Sequence, residues 1–106
     1  MKRGDIVVVA VQGDYGKPRP AVIVQNNAIE LDSVVISLIT FDLQDAQFRI
    51  TLEPSVETGL QKISQVMIDK IMTIPKAKIG KIIGEVPDDA MKKIEQALIL
   101  LFGLAH

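Results

Sequence analysis

A short segment between two apolar runs holds the residue best suited to bind a phosphate group. The segment is GDYGKPRP, residues 13–20, in which Arg19 stands between Pro18 and Pro20. Proline fixes its own φ at about −65°, so the backbone around Arg19 has little freedom. A planar, permanently charged guanidinium held in this way suits phosphate recognition. The alternative is that Arg19 forms a structural salt bridge under the loop.

Two other features could support the same chemistry. Gly13 and Gly16 permit positive-φ turns and a close approach of a ligand to the backbone. Thr40 ends an apolar run of β-branched residues, and a hydroxyl at a strand end can donate a hydrogen bond to an anion. It can equally cap the strand, so Thr40 alone does not indicate a function.

Other catalytic groups are scarce. The chain has no Cys, which excludes disulfides and thiolate metal sites, and its one histidine, His106, is the last residue. We interpret His106 as a tail or a tag remnant, so histidine acid–base chemistry is not expected. Asp88 and Asp89 are interpreted as the start of a helix rather than a catalytic pair. The other acids lack metal-loop spacing, so neither a metal site nor a cofactor is predicted.

Size and charge narrow the class of protein. The 106 residues suit a single domain, 1–106, and the net charge of −1 argues against a general nucleic-acid binder. Any contact with RNA or DNA must therefore be made locally by a few Lys and Arg side chains. No apolar run reaches the ~20 residues of a membrane span, and the N-terminus lacks a signal-peptide layout. These patterns predict a cytoplasmic protein with no membrane contact.

Hydrophobic patterning predicts the elements that must position Arg19 and Thr40. Strands are expected at residues 5–12, 21–25, 33–39, 48–52, 66–68 and 71–74. Residues 41–47 are polar and read as a loop. Pro87 opens an amphipathic helix that Gly103 closes. Closely spaced strands followed by one helix predict a mainly β fold, a small barrel of about five to seven strands with a C-terminal helix.

The order of these segments resembles the MazF/PemK family of toxin ribonucleases, whose fold is a Kid/CcdB-like, SH3-like barrel. The resemblance covers nearly the whole chain, and the opening RGD…RP module is its most specific part. The matching segments are KRGDIVVVAV near the N-terminus, RPAVIVQN at 19–26, VVISLIT at 34–40, GLQKISQVMIDKIMTIP at 59–75 and IGEVPDDAMKKIEQAL at 83–98.

This resemblance implies a metal-independent endoribonuclease toxin that cuts single-stranded mRNA at short sequences. It also implies a homodimer, inhibition by an antitoxin protein, and contact with DNA only through an antitoxin complex. The family's essential Arg falls on Arg19 and its essential Thr on Thr40. The ribose 2′-OH would attack the adjacent phosphorus in line, and these two groups could stabilise the developing charge. Substrate-binding positions would be Gly16, Lys17, Phe41, Asp69 and Lys70, with Phe41 stacking a base.

The chain departs from the family pattern at two positions. Some relatives carry an Arg two residues before the acid that matches Asp69 and another three residues after it. This chain has Met67 and Met72 there. In that subset the first Arg is a catalytic acid, a role that Met67 cannot perform. The departure puts the rate and the cut sequence in question more than the fold.

Two alternatives remain open from the sequence. The CcdB branch shares the fold, binds DNA gyrase and cuts nothing, and the end of this chain, ALILLFGLAH, is faintly similar to the helix end of that branch. The missing arginines at Met67 and Met72 fit such a non-nuclease. A small barrel used only for protein contact is the second alternative.

Overall fold

The computed structural model describes residues 1–10 and 17–104 and shows one antiparallel sheet followed by one helix. The elements are β1 (Asp5–Ala10), β2 (Pro18–Ile23), β3 (Ser33–Thr40), β4 (Arg49–Leu52), β5 (Ser64–Pro75), a 3₁₀ turn (Lys76–Lys78), β6 (Ile79–Glu85) and α1 (Asp88–Phe102). The order across the sheet is β4-β5-β3-β2-β1-β6. The predicted mainly β fold with a C-terminal helix is confirmed.

Two apolar clusters form on opposite faces of the sheet. The first joins strand residues such as Ile6 and Val66 to the helix through Ile94, which is fully buried. The second holds Val7 and Val9 among buried residues that all lie on strands. Successive strand residues point to opposite faces, so an unbroken apolar run such as that of β1 supplies both clusters.

The helix follows its sequence signals closely. Pro87 occupies the N-cap position, and Asp88 and Asp89 lie in the first turn, where the helix dipole favours negative charge. Gly103 ends the helix in the left-handed conformation, with φ 67°, and its N–H donates to the carbonyls of Ile99 and Leu100. The predicted helix boundaries are therefore confirmed.

Two strand predictions were wrong. Residues 66–68 and 71–74 belong to one strand, β5, because β3 pairs with both halves of it and β4 pairs with its first half on the other side. The predicted gap at Asp69 and Lys70 instead coincides with a register break against β3. In addition, no strand was predicted for residues 79–85, which form β6. Two glycines weaken the strand pattern there, and pairing with β1 decides the conformation.

Gly59 shows where backbone packing requires a glycine. Its φ is +68°, and a Cβ there would overlap the carbonyl oxygen of Ile83 on β6. We expect Gly59→Ala to lower the free energy of unfolding by about 2–4 kcal/mol, combining left-handed strain with the overlap. Chemical denaturation measures this. Gly103→Ala is the matched control, since Gly103 has φ +67° but nothing within 4 Å of an added Cβ. Equal losses in the two variants would show that the overlap contributes nothing.

Candidate active site

The strand register brings Arg19 and Thr40 to the same place. β2 and β3 are antiparallel, so the start of β2 and the end of β3 lie at one end of the sheet. Ala21 pairs with Leu38 at the end of this ladder, so Arg19 and Thr40 lie just beyond it, each two residues further along its strand. Residues two apart on a strand point to the same face of the sheet, so both side chains lie on the face of Ala21 and Leu38. The two side chains predicted to be catalytic are therefore neighbours.

Arg19 and Thr40 also line a common pocket, of about 220 Å³. Its other walls are Leu38, Ile39 and Met67, all apolar. Arg19 is exposed and Thr40 is half-buried. The pocket thus combines one cation and one hydroxyl with an apolar lining. Such a lining strengthens electrostatic interactions with a bound anion, because it excludes part of the surrounding water.

The Thr40 hydroxyl is held by the turn that follows it. Its Oγ1 accepts a hydrogen bond of 3.0 Å from the backbone N–H of Asp42. Within the described part of the chain, this hydroxyl donates to no acceptor. A hydroxyl can donate one hydrogen bond while it accepts another. The Thr40 proton is therefore available for an anion in the pocket.

Sequence reasoning missed two side chains that hold this turn, Gln65 and Arg49. Gln65 lies opposite Thr40 on β5 and bonds both backbone groups of Gln44, each at 3.0 Å. Arg49 donates from Nη1 to the carbonyl of Asp42 at 3.2 Å and to Oε1 of Gln65 at 3.3 Å. The alternation of polar and apolar residues in β4 indicates only that Arg49 lies on the polar face of that strand. No signal in the sequence links Gln65 to Thr40.

The other predicted substrate-binding residues occupy different places. Lys17 is exposed just before β2, and Gly16 lies outside the described residues. Phe41 is 47% exposed, carries Lys62 Nζ at 5.7 Å from its ring centroid, and lines a second pocket of about 350 Å³ that also touches Arg19.

Asp69 and Lys70 are exposed at the register break of β5 and line neither pocket that Arg19 borders. Their assignment to substrate binding, like those of Lys17, Gly16 and Phe41, stays a prediction.

A cluster of metal-ligating side chains would indicate a metal site, and a long apolar helix would indicate a membrane span. Residues 1–10 and 17–104 contain no group of three or more His, Cys, Asp or Glu side chains placed to share a metal ion. Over the same ranges, no helix has the length and apolarity needed to cross a membrane.

Comparisons with known proteins agree with the sequence resemblance. The family model described as PemK-like, MazF-like toxin of type II toxin–antitoxin systems matches residues 2–102. A protein of Mycolicibacterium smegmatis named probable endoribonuclease MazF is 35% identical over 108 residues, covering 99% of both chains. Endoribonuclease EndoA of Bacillus subtilis is 26% identical over 111 residues, covering 98% of this chain and 96% of that one.

A solved structure gives the same result for the fold. An endoribonuclease from a mycobacterial species, in complex with its cognate antitoxin, superposes with a TM-score of 0.86 at 29% identity. The match covers 100% of this chain and 98% of that one. These relatives are named as endoribonucleases, so the comparisons do not favour the gyrase-binding alternative.

Proposed function

This chain belongs to the PemK-like, MazF-like toxin family of type II toxin–antitoxin systems, and we propose that it is an endoribonuclease that cleaves single-stranded mRNA at short sequences. The observation that carries the proposal is the shared pocket of Arg19 and Thr40. A cation and a hydroxyl donor at adjacent strand ends form a site for a phosphodiester. We further propose that the enzyme acts in the cytoplasm, where its mRNA substrate is translated.

The proposed reaction is an in-line transesterification. The ribose 2′-OH loses its proton as its oxygen attacks the adjacent phosphorus. The 5′-oxygen of the next nucleotide gains a proton as its bond to phosphorus breaks, which leaves a 2′,3′-cyclic phosphate and a 5′-OH end. Negative charge on the non-bridging oxygens grows in the transition state. Arg19 and the Thr40 hydroxyl stabilise that charge, and holding the 2′-OH in line supplies much of the remaining rate. Arg19 is a poor proton acceptor because a guanidinium stays charged in proteins, so its role is electrostatic.

The residues around the pocket suit a single-stranded ligand. Phe41 is exposed beside Arg19 and could stack one base, while Lys17 precedes Arg19 and could contact a neighbouring phosphate. Asp69 and Lys70 would contact the RNA further along its strand. Neither a metal nor a cofactor enters the proposed reaction.

We propose an antitoxin and a second copy of the chain as protein partners. A solved relative is an endoribonuclease bound to its cognate antitoxin, which supports an antitoxin for this chain. The cations Lys17, Arg19 and Lys70 would attract an acidic, disordered antitoxin segment that folds on binding. DNA would be contacted only through the antitoxin complex. Static light scattering decides between one chain and the proposed homodimer.

Cleavage of a long, unstructured RNA in EDTA tests the proposed function. We expect discrete cuts with 5′-OH ends and 2′,3′-cyclic phosphate ends, mapped by primer extension and end-labelling, at one short recurring sequence. EDTA removes divalent cations, so persistent cleavage would support a metal-independent reaction. Intact RNA beside a folded protein would overturn the proposal, and capture of gyrase by that protein would then favour the CcdB-like alternative.

A further inference from the structure

We propose that Gln65 and Arg49 are positioning residues that hold the Thr40 hydroxyl in its reactive orientation. The inference rests on the proposed function, because it assigns these side chains to the same cleavage site. Neither is expected to touch the reacting phosphate. They act through the turn at residues 40–44.

Gln65 holds the far end of that turn. Its Nε2 donates to the carbonyl of Gln44, and its Oε1 accepts from the N–H of Gln44, both at 3.0 Å. A side-chain amide that bonds both backbone groups of one residue fixes its position and its peptide orientation. Gln65 is only 8% exposed, so water is a poor substitute for these bonds.

Arg49 holds the middle of the turn and supports Gln65. One guanidinium nitrogen donates both to the carbonyl of Asp42 and to the amide oxygen of Gln65. Asp42 is also the residue whose N–H donates to Thr40 Oγ1. A contact chain therefore runs from Arg49 and Gln65, through Asp42 and Gln44, to the Thr40 hydroxyl.

This arrangement matters because a threonine hydroxyl can rotate. The hydrogen bond from Asp42 occupies one lone pair of Oγ1 and restricts the directions in which its proton can point. Releasing the turn would leave the hydroxyl present but less often aimed at the phosphate. Small misplacements of a reacting group cost up to about 100-fold in rate. The loss should fall on kcat more than on KM, since the hydroxyl acts on transition-state charge.

Steady-state cleavage of a short RNA containing the mapped cut sequence tests the positioning role. Gln65→Met keeps the side-chain length, Arg49→Met keeps an unbranched apolar stem, and both remove the hydrogen bonds. We expect each to lower kcat by about 10- to 100-fold with KM changed by less than about threefold. Backbone exchange of the Asp42 and Gln44 amide protons should become faster in both variants, a readout that does not depend on activity.

Two other residues give matched controls. Gln25 makes the same kind of clamp at the opposite end of the sheet, bonding the Ile29 carbonyl at 3.0 Å and the Val35 N–H at 3.1 Å. Arg3 pairs with Glu95 at 3.0 Å. We expect Gln25→Met and Arg3→Met to reduce stability without lowering kcat.

A double-mutant cycle separates positioning from general damage to the fold. In the wild-type background, Thr40→Val removes a well-aimed hydroxyl. In the Gln65→Met background it removes a poorly aimed one, so its additional cost in kcat should be at least tenfold smaller. In the Gln25→Met background its full cost should remain.

The outcomes distinguish this inference from the proposed function. A wild-type protein that leaves RNA intact overturns both. The positioning role alone is overturned if the wild type cleaves RNA and the folded Gln65→Met variant has the same kcat. It is also overturned if Thr40→Val costs as much in the Gln65→Met background as in the wild type.

If Gln65→Met does not fold, Gln65→Glu replaces it. That variant keeps the acceptor for Gln44 N–H and Arg49 but loses the donor to the Gln44 carbonyl, so we expect an intermediate kcat. A wild-type kcat there, with unchanged amide exchange, would overturn the inference.

Discussion

Arg19→Ala is expected to lower kcat/KM for RNA cleavage by about 10³-fold or more. An arginine that stabilises charge on a transferring phosphoryl group contributes about 10³- to 10⁵-fold in enzymes where it has been removed. The pocket offers Thr40 as the only other polar side chain among its described lining residues. Arg19 is also the one cation among those described residues. Single-turnover kinetics on a defined RNA measure the loss directly.

Two further variants serve as controls for Arg19→Ala. Arg19→Lys keeps the charge but loses the planar fork, so we expect it to recover a small part of the rate. Arg3→Ala removes a different arginine, which forms an ion pair with Glu95 of α1, and should leave cleavage unchanged. Each variant must retain the wild-type unfolding transition. Near-normal activity in folded Arg19→Ala would remove this residue from the catalytic assignment.

Thr40→Val is expected to lower kcat by about 100-fold. Valine has nearly the same shape as threonine, so the pocket is preserved while the hydroxyl is lost. Removing one donor to transition-state charge costs about 10²- to 10³-fold in comparable sites. Rapid-quench measurement of the cleavage step isolates this effect from product release.

Thr40→Ser and Thr73→Val are the controls for Thr40→Val. Serine retains the donor and should keep most of the rate. Thr73 is an exposed threonine of β5 that pairs with Val35, towards the other end of β3, so its replacement should leave kcat unchanged. A Thr40→Val enzyme as fast as the wild type would mean that the hydroxyl only caps the strand.

At position 67, where the family resemblance implies an arginine in some relatives, this chain has Met67. Its side chain lines the pocket beside Arg19 and Thr40, with Leu38 and Ile39 as further apolar walls. An apolar wall cannot donate a proton to the leaving oxygen. It does lower the local dielectric, which makes the interaction between Arg19 and a bound phosphate stronger. In the proposed reaction, the rate of cleavage would therefore depend on charge stabilisation more than on acid catalysis.

Local signals in the sequence were sufficient for the helix, whereas the assignment of Arg19 and Thr40 to a site came from the family resemblance. Helix α1 is specified by Pro87, an amphipathic repeat and Gly103, all within its own length. Arg19 between two prolines and Thr40 at the end of an apolar run are equally local features. Each depends on backbone preferences that act over a few residues.

Tertiary structure decided the features that depend on pairing between distant segments. β5 is one strand because two different neighbours supply its hydrogen bonds, and β6 forms because β1 is beside it. Gln65 reaches the turn after Thr40 only through the register of β3 with β5. Hydrogen-bond partners across a sheet are fixed by register and burial, and neither can be read from one segment alone.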